Sequence, residues 1–154
     1  MQRKQLNGAP GESRVLIVED DADISEMLAT ILEADGHTVD TAANGREALA
    51  WLRAPGHRPG LILLDLRMPI MDGVEFRRWQ IKDQALADIP VVLLTAELRA
   101  GERAAALGVS GFLTKPFELD ALLAAVAWYL RGLDRRSAPL AAPPWLRVPE
   151  GSLQ

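Results

Sequence analysis

The 154-residue chain contains no cysteine. Disulfides, thiolate metal sites and cysteine nucleophiles are therefore excluded. Histidine is nearly as scarce: His37 and His57 are the two in the chain, far apart in sequence. A histidine-based catalytic or zinc centre is not expected from them. No apolar run approaches the roughly 20 residues of a membrane span. The first 13 residues are polar, with Gly and Pro, and lack the apolar core of a signal sequence. Residues 1–13 are expected to be a flexible segment, and the chain to be cytoplasmic, without membrane insertion. No glycine-rich phosphate loop follows any apolar run, which removes support for nucleotide binding. Positive charge is not in excess either: 17 basic against 21 acidic residues leave a net charge of -4. That balance gives no ground for direct nucleic-acid binding.

What is present is an ordinary globular composition, 49% hydrophobic and 25% charged, in a length that suits one domain plus a tail. Val15-Leu16-Ile17-Val18, Leu61-Ile62-Leu63-Leu64 and Val91-Val92-Leu93-Leu94 are short apolar runs bounded by polar or turn residues, the pattern of strands buried on both faces. His37 to Ala42 alternates like a less buried strand, and Gly111 to Thr114 is a short fifth one. Between them the period changes. Ile24, Met27, Leu28, Ile31 and Leu32 recur at helical spacing, with Asp23 as expected N-cap and Gly36 as stop. Further helices are expected over 44–54, with Ala48, Leu49 and Leu52 facing inward, over 74–82, over 98–107, and over 118–131. The inward stripe of the last is read as Leu119, Leu122, Leu123, Val126 and Leu130. Five strand–helix alternations imply an α/β fold with a parallel, doubly wound sheet and five helices.

In such a sheet the carboxyl ends of the strands converge on one crevice. The residues there are Glu19 and Asp20, Asp65, Thr95 and Lys115. Asp65 taken alone would be an ordinary turn former. Clustered carboxylates, however, repel one another unless a cation is present. Oxygen donors without His or Cys select a hard ion such as Mg2+. Asp20 and Asp65 would supply side-chain oxygens, Glu19 would hold a bound water, and the Arg67 carbonyl would complete the set. Asp65 is then a candidate nucleophile towards phosphorus, with Lys115 and Thr95 placed to meet phosphoryl oxygens. Ala96, small and beside Thr95, leaves the approach open.

Glu19-Asp20, Asp65 through Pro69, Thr95-Ala96 and Lys115-Pro116-Phe117 together resemble the receiver domain of bacterial two-component response regulators, over residues 14–131. The resemblance implies a flavodoxin-like sheet of order 2-1-3-4-5, the order also found in chemotaxis receivers. It also implies a cis bond before Pro116, Mg2+ as cofactor, and phosphorylation of Asp65 by a histidine kinase or phosphotransfer protein. It implies a switch in which Thr95 turns towards the phosphoryl group and Phe112 moves inward, altering the binding of a downstream protein or a second copy. Phe112 lacks the hydroxyl of the Tyr often found there. Thr95 and Lys115 stand slightly closer in sequence than is the family's habit, so the fourth helix is expected to be short or to start late. Arg67 and Glu97 occupy positions flanking the phosphoryl site and are expected to tune water access.

Residues 132–154 hold Pro139, Pro143, Pro144 and Pro149 and read as a Pro-rich tail. With no output domain expected after residue 131, the chain is read as a single-domain regulator that catalyses only its own phosphorylation and dephosphorylation. Trp145 and Leu146 are candidates to cover an apolar side of the last helix. The alternative is a binding module that keeps the fold without phosphorylation. A phosphotransferase of the haloacid-dehalogenase type would want a second Asp where Arg67 stands.

Overall fold

The computed structural model of the protein describes residues 14–132. The expected flexible segment 1–13 and the Pro-rich tail, with Trp145 and Leu146, lie outside the described residues. Strands β1 (Arg14–Val18), β2 (Thr38–Ala42), β3 (Leu61–Asp65), β4 (Val91–Thr95) and β5 (Gly111–Thr114) alternate with helices α1 (Ala22–Ala34), α2 (Gly45–Arg53), α3 (Gly73–Lys82), α4 (Ala100–Leu107) and α5 (Leu119–Gly132). The sheet runs β2-β1-β3-β4-β5, all pairs parallel, with Leu16 opposite Ile62 and Ile62 opposite Val91. This is the five-stranded, flavodoxin-like order that the resemblance implied.

The three central strands are apolar on both faces because both faces are covered. Alternate side chains of one strand enter different cores. Leu16, Val18, Ile62, Leu64 and Leu93 join Leu49 of α2 and Phe76 of α3 on one side. Val15, Ile17, Leu61, Leu63 and Leu94 join Leu28 of α1 and Leu122 of α5 on the other. Each such fully buried side chain contributes about 1.5–3 kcal/mol. The edge strands β2 and β5 are only partly buried, which is why their sequences are mixed.

The helix starts follow side-chain caps. Asp21 accepts from the backbone N–H groups of Asp23 and Ile24, so the cap of α1 is Asp21 and not Asp23. Asn44 caps α2 through Glu47 N–H and Asp72 caps α3 through Glu75 N–H. Helix α4 starts late, as expected: Leu98 is fully exposed ahead of it, and its N-cap residue, Arg99, makes no side-chain cap.

Two inward faces differ from the sequence reading. In α1, Met27 is half exposed while Ser25 is buried. In α5, Leu119 is exposed, and the buried stripe is Leu122, Ala125, Val126, Tyr129 and Leu130. That stripe follows the i, i+3, i+4, i+7, i+8 spacing. Small Ala125 lets the helix approach the sheet, and the Tyr129 hydroxyl donates to the Ser110 carbonyl at 2.7 Å. Burial pushes that phenol up to about 12.

A polar cluster inside the first core was not foreseen either. Arg77 of α3 donates to the carbonyls of Leu107 (3.0 Å) and Gly108 (2.8 Å) and to Gln80 Oε1 (2.8 Å). Gln80 in turn donates to the Leu86 and Ile89 carbonyls. The guanidinium thus closes the C-terminal end of α4, where unpaired carbonyls favour a cation.

Candidate functional site

Strands β1, β3, β4 and β5 end where an apolar stretch meets a charged or polar residue, and these four ends meet. Glu19 continues β1, its N–H held by the Ala42 carbonyl at 3.0 Å, and is 4% exposed. Asp20 follows it at the surface. Asp65 closes β3, half-buried. Carboxylate oxygens of Glu19, Asp20 and Asp65 all lie within 4.8 Å of one another.

The backbone behind Asp65 is tightly specified. After Pro69, Ile70 takes a φ of +71° while Met71 N–H reaches the Pro69 carbonyl at 2.7 Å, a three-residue turn that a β-branched residue adopts only under strain. Gly73 then brings α3 against the strand end. A Cβ there would stand 2.5 Å from the Asp65 carbonyl oxygen and 2.9 Å from Leu66 Cα, so no larger residue fits without a backbone shift.

Lys115 arrives from β5. Its N–H bonds the Thr95 carbonyl at 2.8 Å, and the bond to Pro116 is cis, as the resemblance implied. Its Nζ lies 3.4 Å from Glu19 Oε2 and 3.9 Å from Asp65 Oδ2. One ammonium thus meets two of the three clustered carboxyls. Burial foremost, then the hydrogen bond and charge of Asp65, push the Glu19 carboxyl up to about 7, although Lys115 and the Asp21 N–H pull the other way. Such a set favours a further cation: the donors are all oxygen and the negative charge is under-compensated.

Thr95 ends β4, buried, and its Oγ1 accepts from Glu97 N–H at 3.1 Å. Asp65, Arg67, Thr95, Ala96, Glu97 and Lys115 line a cavity of about 400 Å³. At its mouth Arg67 Nε lies 3.9 Å from Glu97 Oε1, and Arg103 Nε of α4 donates to Glu97 Oε2 at 3.2 Å. Arg103 was missed by the sequence reading, since a mid-helix arginine carries no local sign of its partner. Phe112 stands apart from this cluster, half-buried against the α2–α3–α4 core. Its ring edge lies beside Gly101, where an added Cβ would stand 3.4 Å from it. The cavity thus offers a carboxylate nucleophile, an ammonium and a hydroxyl around a space open to a small anionic group.

Comparison with known proteins agrees. A family model for the response regulator receiver domain matches residues 15–127. The chain is 37% identical over 146 residues to the alkaline phosphatase synthesis transcriptional regulatory protein SphR of Synechococcus elongatus, covering 88% of this chain and 54% of that protein. It is 40% identical over 141 residues to the transcriptional regulatory protein TcrA of Mycobacterium tuberculosis, covering 88% and 51%. The chain therefore spans about half the length of the curated relatives it matches. Among solved structures, the signal receiver domain of a signal transduction histidine kinase from Syntrophus aciditrophicus superposes with a TM-score of 0.73 at 36% identity, over 84% of this chain and 98% of that one. The chemotaxis response regulator CheY4 of Vibrio cholerae does so with a TM-score of 0.69 at 34% identity, over 76% and 98%. By fold, strand-end residues and sequence alike, this chain belongs to the response regulator receiver domain family.

Proposed function

We propose that Asp65 accepts a phosphoryl group from the phosphohistidine of a histidine kinase or phosphotransfer protein, in the cytoplasm and with Mg2+, and that the modified chain binds a downstream protein or passes the group on. The observation that carries this reading is the convergence of Glu19, Asp20, Thr95 and Lys115 on Asp65 at the end of β3. Receiver domains hold Mg2+ at an acidic pocket, and the oxygen donors and excess negative charge here fit it. Glu19, Asp20, Asp65 and the Arg67 carbonyl would hold the ion, which would neutralise charge on a phosphoryl oxygen.

Asp65 Oδ attacks phosphorus. The P–N bond to histidine breaks, and its electron pair returns to the imidazole nitrogen. Lys115 balances a second phosphoryl oxygen after a short move from Glu19. Thr95 turns its hydroxyl from Glu97 to a third. Phe112 follows inward, changing the surface formed by α4, β5 and α5 that a partner or a second copy would read. Arg67 and Glu97 control the access of water. The chain acts on no other substrate and catalyses only its own phosphorylation and dephosphorylation.

Incubation with acetyl phosphate and Mg2+, followed by intact mass measurement, tests the reading. Wild type gains one phosphoryl group and Asp65→Asn gains none. A wild-type chain that stays unmodified overturns the proposal in favour of a phosphorylation-independent binding module.

A further inference from the structure

We infer that Arg103, in the middle of α4, is a positioning residue for the phosphoryl site, holding Glu97 across the cavity mouth so that water reaches the phosphorylated Asp65 slowly. The inference rests on Asp65 being the phosphoacceptor.

Its basis is the way Glu97 is held. One carboxylate oxygen accepts from Arg103 Nε at 3.2 Å, and the other faces Arg67 Nε at 3.9 Å. The two arginines come from different elements, Arg67 from the loop after β3 and Arg103 from α4. Glu97 itself lines the cavity between them. The two links are unequal. Arg67 is 86% exposed and stands at the limit of ion pairing, whereas Arg103 makes a hydrogen bond and is 46% exposed. Arg103 is therefore the stronger anchor, and Glu97, at 20% exposure, is covered by the pair. The Glu97 N–H donates to Thr95 Oγ1 before phosphorylation, and once Thr95 turns to the phosphoryl group the two arginine links are what keep the side chain in place.

Hydrolysis of an aspartyl phosphate requires water in line with the bond that breaks, opposite the Asp65 oxygen. On the reading of Asp65 as acceptor, the phosphoryl group and the water that approaches it share the cavity that Asp65, Thr95, Glu97 and Lys115 line. A carboxylate fixed across the opening by two guanidiniums obstructs that approach, and a carboxylate released from α4 does not. Because Arg103 belongs to α4, any partner that draws this helix away also shortens the phosphoryl lifetime.

The test compares Arg103→Ala, Arg103→Lys, Glu97→Ala and the double variant Arg103→Ala/Glu97→Ala with wild type. Each is loaded with acetyl phosphate and Mg2+, the donor is removed, and loss of the adduct is followed by intact mass. Melting temperatures are measured in parallel. The expected result is that Arg103→Ala loses its phosphoryl group about two- to fivefold faster than wild type, the scale of one exposed ion pair. Arg103→Lys recovers most of the difference, and Arg103→Ala adds nothing once Glu97 is gone. Decay of Arg103→Ala at the wild-type rate, or additive effects of the two substitutions, overturns the inference. If Arg103→Ala melts far below wild type, the Glu97→Ala and Arg103→Lys rates decide. A wild-type chain that never loads defeats instead the reading of Asp65 as acceptor.

Discussion

The two ends of the sheet treat charge in opposite ways. Where the strands begin, charges are paired. Arg14 meets Asp40 at 3.6 Å and lies over the Trp51 ring, which stacks on His57. Arg58 bonds Asp88 at 3.0 Å and pulls that carboxyl below its usual range. Where the strands end, three carboxyls cluster with one ammonium beside two of them, and Glu19 is pushed up to about 7. One end pairs its opposite charges and the other leaves negative charge in excess. An under-compensated cluster costs stability, and such sites persist where a cation or reacting group completes them.

The contrast is broken most completely by Asp65→Asn. The amide keeps the shape but not the nucleophile, so phosphoryl uptake from acetyl phosphate falls to none by intact mass. Next comes Gly73→Ala, which forces the start of α3 away from the Asp65 carbonyl. It is expected to cost about 2–3 kcal/mol in denaturant unfolding and to impair loading by displacing the strand end.

A smaller effect sharpens the contrast through pH. The Glu19 carboxyl sits at about 7 in the folded chain against an ordinary 4.5. Between those values the folded state holds a proton that the unfolded state releases. The contribution of Glu19 therefore lowers stability as pH rises through the window and levels off above it. Melting temperatures without divalent ions should show this decline, and Glu19→Gln should flatten it. Mg2+ should stabilise most above the window, where Glu19 is ionised. A melting temperature indifferent to Glu19→Gln across the window would refute the assignment.

The smallest effect belongs to the other end. Asp88 is held low by Arg58, so its contribution is present above the ordinary carboxylate range and lost as pH falls through the folded value. The pair is exposed at 54% and 76%, so Arg58→Ala should cost below about 1 kcal/mol. Loading with acetyl phosphate should be unaffected. A loading defect in Arg58→Ala would mean that the two ends are coupled.

Much of the site was legible because its signals are local. A four-residue apolar run that stops at a carboxylate places that carboxylate at a strand end, and four such stops point to one edge. Glu19, Asp20, Asp65, Thr95 and Lys115 were found this way. What was misread involved choices between neighbours. Asp21 and Asp23 are equally suited to cap α1, and loop geometry selects Asp21. The leucines of α5 suggested a stripe through Leu119, yet the sheet takes the stripe that contains Ala125 and Tyr129.

The sequence by itself determined the alternation of strands and helices, the apolar strand interiors and the kinds of side chain at the strand ends, because each depends on residues adjacent along the chain. Only the tertiary structure decided that Lys115 lies 3.4 Å from Glu19, 96 residues away. It likewise decided that Arg77 closes α4 from within the core and that Arg103 holds Glu97 at the cavity mouth. These are meetings between elements, set by crossover connections and by which helix face finds room against the sheet, and periodicity along the chain carries no record of them.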